Sequence, residues 1–192
     1  MKLLRALAVG FLLAGPVSAQ DVDKGVAALQ ADDYAAALSE WRPLAERGNT
    51  RAQQWLAYMY AAGKGVPQDY AEAIRWYKLA AEQGDGSAIY KLGQIYFKGE
   101  IMPQDYAESS RWYRLGAEQG HSRSQSSLGA AYKFGRGVPQ DYITAHMWYN
   151  VSTSALAALA RDGLAGEMSF ADILEAQRRA RVCLASNYQD CG

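Results

Sequence analysis

"LAYMYAAGKGVPQDYAEAIRWYKLAAEQG", residues 56–84, is followed 36 positions later by "LGQIYFKGEIMPQDYAESSRWYRLGAEQG", residues 92–120. A third, partial copy, "LGAAYKFGRGVPQDYITAHMWYN", begins at residue 128. The columns stay in step. Asp33, Asp69, Asp105 and Asp141 share one column, and Tyr34, Tyr70, Tyr106 and Tyr142 the next. Trp76, Trp112 and Trp148 form another, as do Gly63, Gly99 and Gly135. A fixed period of this size marks an array of stacked supersecondary units.

Each period holds two helical patterns. From Asp69 to Gln83, the residues Tyr70, Ala73, Ile74, Tyr77, Ala80 and Ala81 fall at i, i+3, i+4, i+7, i+10 and i+11. That is one face of a 3.6-residue helix. Gly84 then ends the pattern, as a glycine past a helix C-terminus does. Residues 86–98 repeat the logic with Ala88, Leu92, Ile95 and Tyr96, closed by Gly99. No stretch alternates with period two. The chain therefore reads as all-α, an α/α superhelical solenoid of helix pairs. The units fall at about 33–48, 49–84, 85–120 and 121–154, followed by a C-terminal cap over 155–192. In that cap "SFADILEAQRRARVCLASN" reads as a longer closing helix, with Ser169 at its N-cap and Asp172 three residues on.

The recurring "PQDY" is explained by helix entry. Asp33, Asp69, Asp105 and Asp141 precede the second helices, where a carboxylate accepts from first-turn N–H groups and faces the positive end of the helix dipole. Glu72 and Glu108, three residues on, suggest capping boxes. Pro67, Pro103 and Pro139 stiffen the approach. Ser109 and Ser110 replace Ala73 and Ile74, so that unit should bury less apolar area, a loss of about 1–2 kcal/mol.

These strings, with their LG–Y–G–GV–QDY–A–WY–AAEQG pattern, resemble Sel1-like repeats, a subfamily related to tetratricopeptide repeats. The resemblance covers about residues 33–154. It implies one repeat domain over 20–192, a C-terminal capping helix, and an adaptor that binds protein partners. Some exported bacterial members of that family regulate envelope signalling or engage host proteins. The resemblance also offers a rival, a cysteine-containing hydrolase or penicillin-binding protein acting on β-lactams. Members of that kind carry a cysteine pair in each repeat. This chain has one pair, at its end, and no S-x-x-K.

The first nineteen residues form a separate pattern. Lys2 and Arg5 precede an apolar run from Ala6 to Ala14, and Val17-Ser18-Ala19 offers small residues for cleavage. That is the three-part form of a secretory signal. It predicts export, to the periplasm or beyond, after cleavage near Ala19–Gln20, with no stable membrane insertion afterwards. The full chain balances 20 basic against 20 acidic residues, so loss of Lys2 and Arg5 leaves a net charge near −2. Nothing resembles the basic stripe of a nucleic-acid binder. Cys183 and Cys191, in an oxidising compartment, are expected to form a structural disulfide. A zinc site would want four ligands and a redox pair reads C-x-x-C.

Chemistry-bearing motifs are missing. There is no G-x-x-x-x-G-K-[ST], H-E-x-x-H or G-x-S-x-G, so no catalytic residue, metal ligand or cofactor site is expected. His146 falls in a buried column and His121 just past a helix stop, as a turn residue. Most of the 13 Tyr and 5 Trp repeat in phase and belong between helices. Some aromatics on the first helices do not repeat: Trp55, Tyr58, Tyr90 and Phe97. With Lys91 and Gln94 they form a candidate partner-binding face, since Tyr and Trp dominate interface hot spots. A protein partner is the leading expectation and cell-wall glycan the other.

Overall fold

The computed structural model describes residues 19–191. The segment read as a secretory signal lies almost wholly outside the described residues. Within them the chain forms helices and no strand. Two precede the closely repeating part: α1 (Ala19–Gln30) and α2 (Tyr34–Glu46). Three helix pairs follow: α3 (Thr50–Ala62) with α4 (Tyr70–Glu82), α5 (Gly86–Lys98) with α6 (Tyr106–Glu118), and α7 (Ser122–Phe134) with α8 (Tyr142–Val151). The chain closes with α9 (Ala155–Ala165) and α10 (Phe170–Ala185).

From α1 to α9 each helix packs on the one before it and the one after it, and α10 folds back onto α8. This neighbour-to-neighbour packing is what makes a solenoid. The core runs between layers: Leu56, Leu92 and Leu128 of the first helices are fully buried, as are Ala52, Ala88 and Ala117. Close approach needs glycine at two sites. A Cβ on Gly93 would lie 2.5 Å from the Tyr113 ring, and one on Gly129 would lie 2.8 Å from the Tyr149 ring.

The link between the helices of a unit is a hydrogen-bonded clasp. Asp33, Asp69, Asp105 and Asp141 stand at N-caps and accept from the backbone N–H three residues on, at 2.9, 3.0, 2.9 and 3.0 Å. The capping box, however, is not reciprocal. The backbone N–H of Asp69 donates to the Tyr60 carbonyl at 3.0 Å, and Asp105 does the same to Tyr96 at 2.9 Å. With that N–H used, Glu72 and Glu108 turn to Arg75 and Arg111 one turn along their helices. The glutamine of each link also acts. Gln68, Gln104 and Gln140 donate to the carbonyls of Ala61, Phe97 and Lys133, at 2.9, 2.7 and 2.8 Å, closing the free C-terminal end of the first helix.

Ser109 and Ser110 are buried, and both hydroxyls are satisfied. Ser109 Oγ donates to the Gly93 carbonyl at 2.9 Å and Ser110 Oγ to the Arg136 carbonyl at 2.8 Å. Apolar packing is exchanged for two hydrogen bonds between elements, which offsets part of the expected loss.

Two helices carry no signature of the repeat. α1 packs on α2, where Gly25 leaves room for the Trp41 indole and Trp41 Nε1 donates to the Val22 carbonyl at 3.0 Å. The apolar spacing Val22, Val26, Leu29 is its one sequence signal. α9 follows because α8 stops early, at Val151, where Ser152 turns extended. Ser152 Oγ lies 2.9 Å from both the Ser122 and Ser126 hydroxyls, tying the end of α8 to the start of α7.

At the C-terminus, α10 is capped by Ser169, which accepts from the Asp172 N–H at 3.2 Å. Cys183 and Cys191 are bridged. The bridged tail turns through Asn187 and Tyr188, both at positive φ, and sets the Tyr188 ring against Gly120 at the end of α6.

Candidate partner-binding groove

α4 packs on both α3 and α5, and α6 on both α5 and α7. The second helices therefore form the floor between successive first helices. Along this side three depressions run into one another. One of about 420 Å³ lies between Trp55 and Tyr58 of α3 and Ser87 and Lys91 of α5, with Tyr77 on its floor. The next, about 160 Å³, shares Tyr77 and Lys91 and extends to Gln94 and Lys98. The third, about 240 Å³, shares Gln94 and Lys98 and is lined by Tyr90, Phe97, Tyr106 and Tyr113. It reaches Ser127 of α7 and Arg136 of the following link. Trp55, Tyr58, Tyr90, Lys91, Gln94 and Phe97 all lie on this one groove.

Their roles differ. The Trp55 indole stacks on buried Trp41, with centroids 5.1 Å apart and planes 6° from parallel, so one of its faces belongs to the core. Tyr58 meets Trp55 edge-on at 6.0 Å and is 36% exposed. Lys64 sits 5.6 Å from the Tyr58 ring, a cation–π contact. The Tyr90 hydroxyl accepts from Gln94 Nε2 at 3.1 Å, and its ring lies 5.9 Å from Tyr113. Phe97 packs on Tyr106 at 5.4 Å, and the Arg136 guanidinium lies over both rings, at 5.4 and 5.9 Å.

Sequence reading assigned Tyr77 and Tyr113 to the core, and both are buried, yet they also floor the groove. Burial pushes each phenol up to about 12, so both stay protonated donors near neutral pH. Arg136 was missed because it lies in a link, outside any helical pattern, and comes to Phe97 only through stacking of units. The signal for it was a broken column: Lys64, Glu100 and Arg136 occupy equivalent positions.

The histidines are structural. Burial, then Arg161, holds the His146 pKa below its ordinary value, and Asn150 Nδ2 donates to its Nδ1 at 2.9 Å. His121 is the N-cap of α7, with Nδ1 accepting from the Ser124 N–H at 3.4 Å; burial, then Arg123, lowers its pKa. It occupies the column of Asn49 and Asp85, which cap α3 and α5 in the same way. Among the described residues no group of three or more His, Cys, Asp or Glu side chains is placed to hold a metal.

The family model of the Sel1 repeat matches residues 50–85, 86–121 and 122–152. The chain belongs to the Sel1 repeat family. Each matched repeat is one of the helix pairs α3–α4, α5–α6 and α7–α8. Among solved structures, a Sel1 repeat protein from Oxalobacter formigenes is 31% identical with a TM-score of 0.63, over 68% of this chain and 54% of that one. A protective antigen present in uropathogenic Escherichia coli strains, displaying an SLR fold, is 24% identical with a TM-score of 0.50, over 88% of this chain and 46% of that one. The second likeness concerns the fold alone. The chain thus spans about half the length of these relatives. No curated protein matches. Sel1 repeat proteins generally mediate protein–protein interaction as non-catalytic scaffolds.

Proposed function

We propose that this Sel1 repeat chain is an exported adaptor of the cell envelope, periplasmic or secreted, that holds a protein partner in the groove along α3, α5 and α7. One observation carries the reading: Trp55, Tyr58, Tyr90 and Phe97, which break the repeat columns, lie on one continuous groove rather than scattered over the surface. Aromatic side chains in a partly desolvated cleft supply large contact area at small entropic cost. The disulfide between Cys183 and Cys191 fits an oxidising compartment. No described helix is long and apolar enough to cross a membrane.

The test is pull-down from cross-linked envelopes with the parent chain and with Tyr58→Ala and Phe97→Ala. Tyr58 is exposed, so Tyr58→Ala should keep its melting temperature; Phe97 is half-buried and packs on Tyr106, so Phe97→Ala should melt somewhat lower and is compared with the parent well below its transition. The parent should recover a partner that both variants lose. Recovery of the same proteins in the same yield would show that binding, if present, uses another face.

A further inference from the structure

We infer that the groove takes an acidic segment of its partner, one in which carboxylates are interleaved with aromatic or aliphatic side chains. This rests on the groove being the partner site and specifies what it recognises.

The inference comes from how charge is sorted among helices. The groove-lining first helices α3, α5 and α7 carry Arg51, Lys91, Lys98, Arg123 and Lys133 and no Asp or Glu at all. The second helices α4 and α6 mix the signs and neutralise themselves, Glu72 pairing with Arg75 and Glu108 with Arg111, and α8 carries no Asp, Glu, Lys or Arg. This sorting occurs in a chain with 20 basic and 20 acidic residues, so a basic composition does not account for it.

Two groove cations are uncompensated. Among the described residues no carboxylate lies within 4.0 Å of the Lys91 ammonium or the Arg136 guanidinium. Lys98 has only Glu100, at 3.7 Å, with both side chains more than half exposed (54% and 68%). The Arg136 guanidinium sits among the rings of Phe134, Phe97 and Tyr106, at 5.0, 5.4 and 5.9 Å, which restricts its fork of donors without using them. Such a fork matches a carboxylate in a bidentate geometry. Lys91 stands where two of the depressions meet. Between these charges Tyr77, Tyr90, Phe97 and Tyr106 line the groove beside Ile95 and Ile101, with Glu100 its one carboxylate among the described residues, so an acidic segment needs apolar side chains to fill it. A run of acids alone would leave the rings facing water, and a basic segment would meet like charge.

The probe is a random short-peptide library selected on the immobilised full chain, with Lys91→Glu and Arg136→Glu as counter-targets. Enrichment of peptides rich in Asp or Glu together with Phe, Trp, Tyr or Leu is expected. Their affinity should fall steeply with salt and drop about tenfold or more in each charge reversal. Circular dichroism melts of both variants matching the parent would exclude misfolding as the cause. Enrichment of neutral or basic peptides that still depend on Tyr58 and Phe97 would overturn the acidic inference and leave the groove reading standing. If no peptide depends on any groove residue, both are overturned.

Discussion

Gln54 Nε2 donates to Asp85 Oδ2 at 2.8 Å, while Asp85 Oδ1 accepts from the Ala88 N–H at 2.8 Å. One carboxylate thus caps α5 and fastens it to α3 of the preceding unit. The two bonds belong to different levels of structure, so removing the side chain weakens a helix and a layer contact together. Asp85→Ala should cost about 1–2 kcal/mol, and Asp85→Asn much less, since Asn49 already fills this cap in α3. Urea unfolding at constant m-value measures both. Asn keeps an acceptor for the Ala88 N–H but not for Gln54 Nε2, so equal losses in the two variants would show that the bond to Gln54 and the charge, rather than the cap, carry the stability.

Gly93 faces Tyr113 across the α5–α6 contact. A methyl at position 93 has no room beside a buried ring, although its helix propensity exceeds that of glycine. Gly93→Ala should therefore destabilise by about 1–3 kcal/mol. Gly163→Ala in α9 meets nothing within 4 Å and should stabilise slightly. Thermal melts of the two variants should move in opposite directions.

The disulfide spans eight positions, from Cys183 to Cys191. The chain-entropy account of so short a loop gives about 2–3 kcal/mol. Reduction, or Cys191→Ser, should lower stability by that amount and loosen the Tyr188 contact first. Hydrogen exchange before and after reduction checks this. Protection should fall in α10 and near Gly120 while α3 and α4 stay unchanged.

Stability should decline as pH falls below about 6.5. His121 and His146 both have folded pKa values below their ordinary value, with burial the first cause. Below the unfolded value the unfolded chain binds more protons than the folded one, so protons favour unfolding; above it the two states bind alike and the curve is flat. His121→Asn keeps a capping acceptor and removes one titrating group, so its stability should depend less on pH over the same range. Urea midpoints at neutral and mildly acidic pH decide the matter. A parent with no slope there would contradict the lowered pKa values of buried His146 and part-buried His121.

How much of this was legible in the sequence depended on repetition. Leu56, Leu92 and Leu128 declared themselves by recurring, and so did the capping aspartates. The glutamines of the links recur just as faithfully, but composition says nothing of what Gln68 reaches; that required the loop to bring it to the Ala61 carbonyl. The capping boxes misled in one half, because the Asp69 N–H is used across the link and leaves Glu72 free for Arg75. α1 and α9 have no columns to betray them. The groove was readable in a negative way: Tyr58 and Phe97 stood out by not repeating. Arg136 belongs beside Phe97 only after units stack.

The contact of Tyr188 with Gly120 gives the molecule a polarity. In an array held by nearest neighbours, either end can peel away layer by layer. Here the last turns reach back past α8 and α7 to the end of α6, and a covalent bond keeps the reaching segment folded. Tension applied along the array should therefore meet a covalently held latch at its C-terminal end.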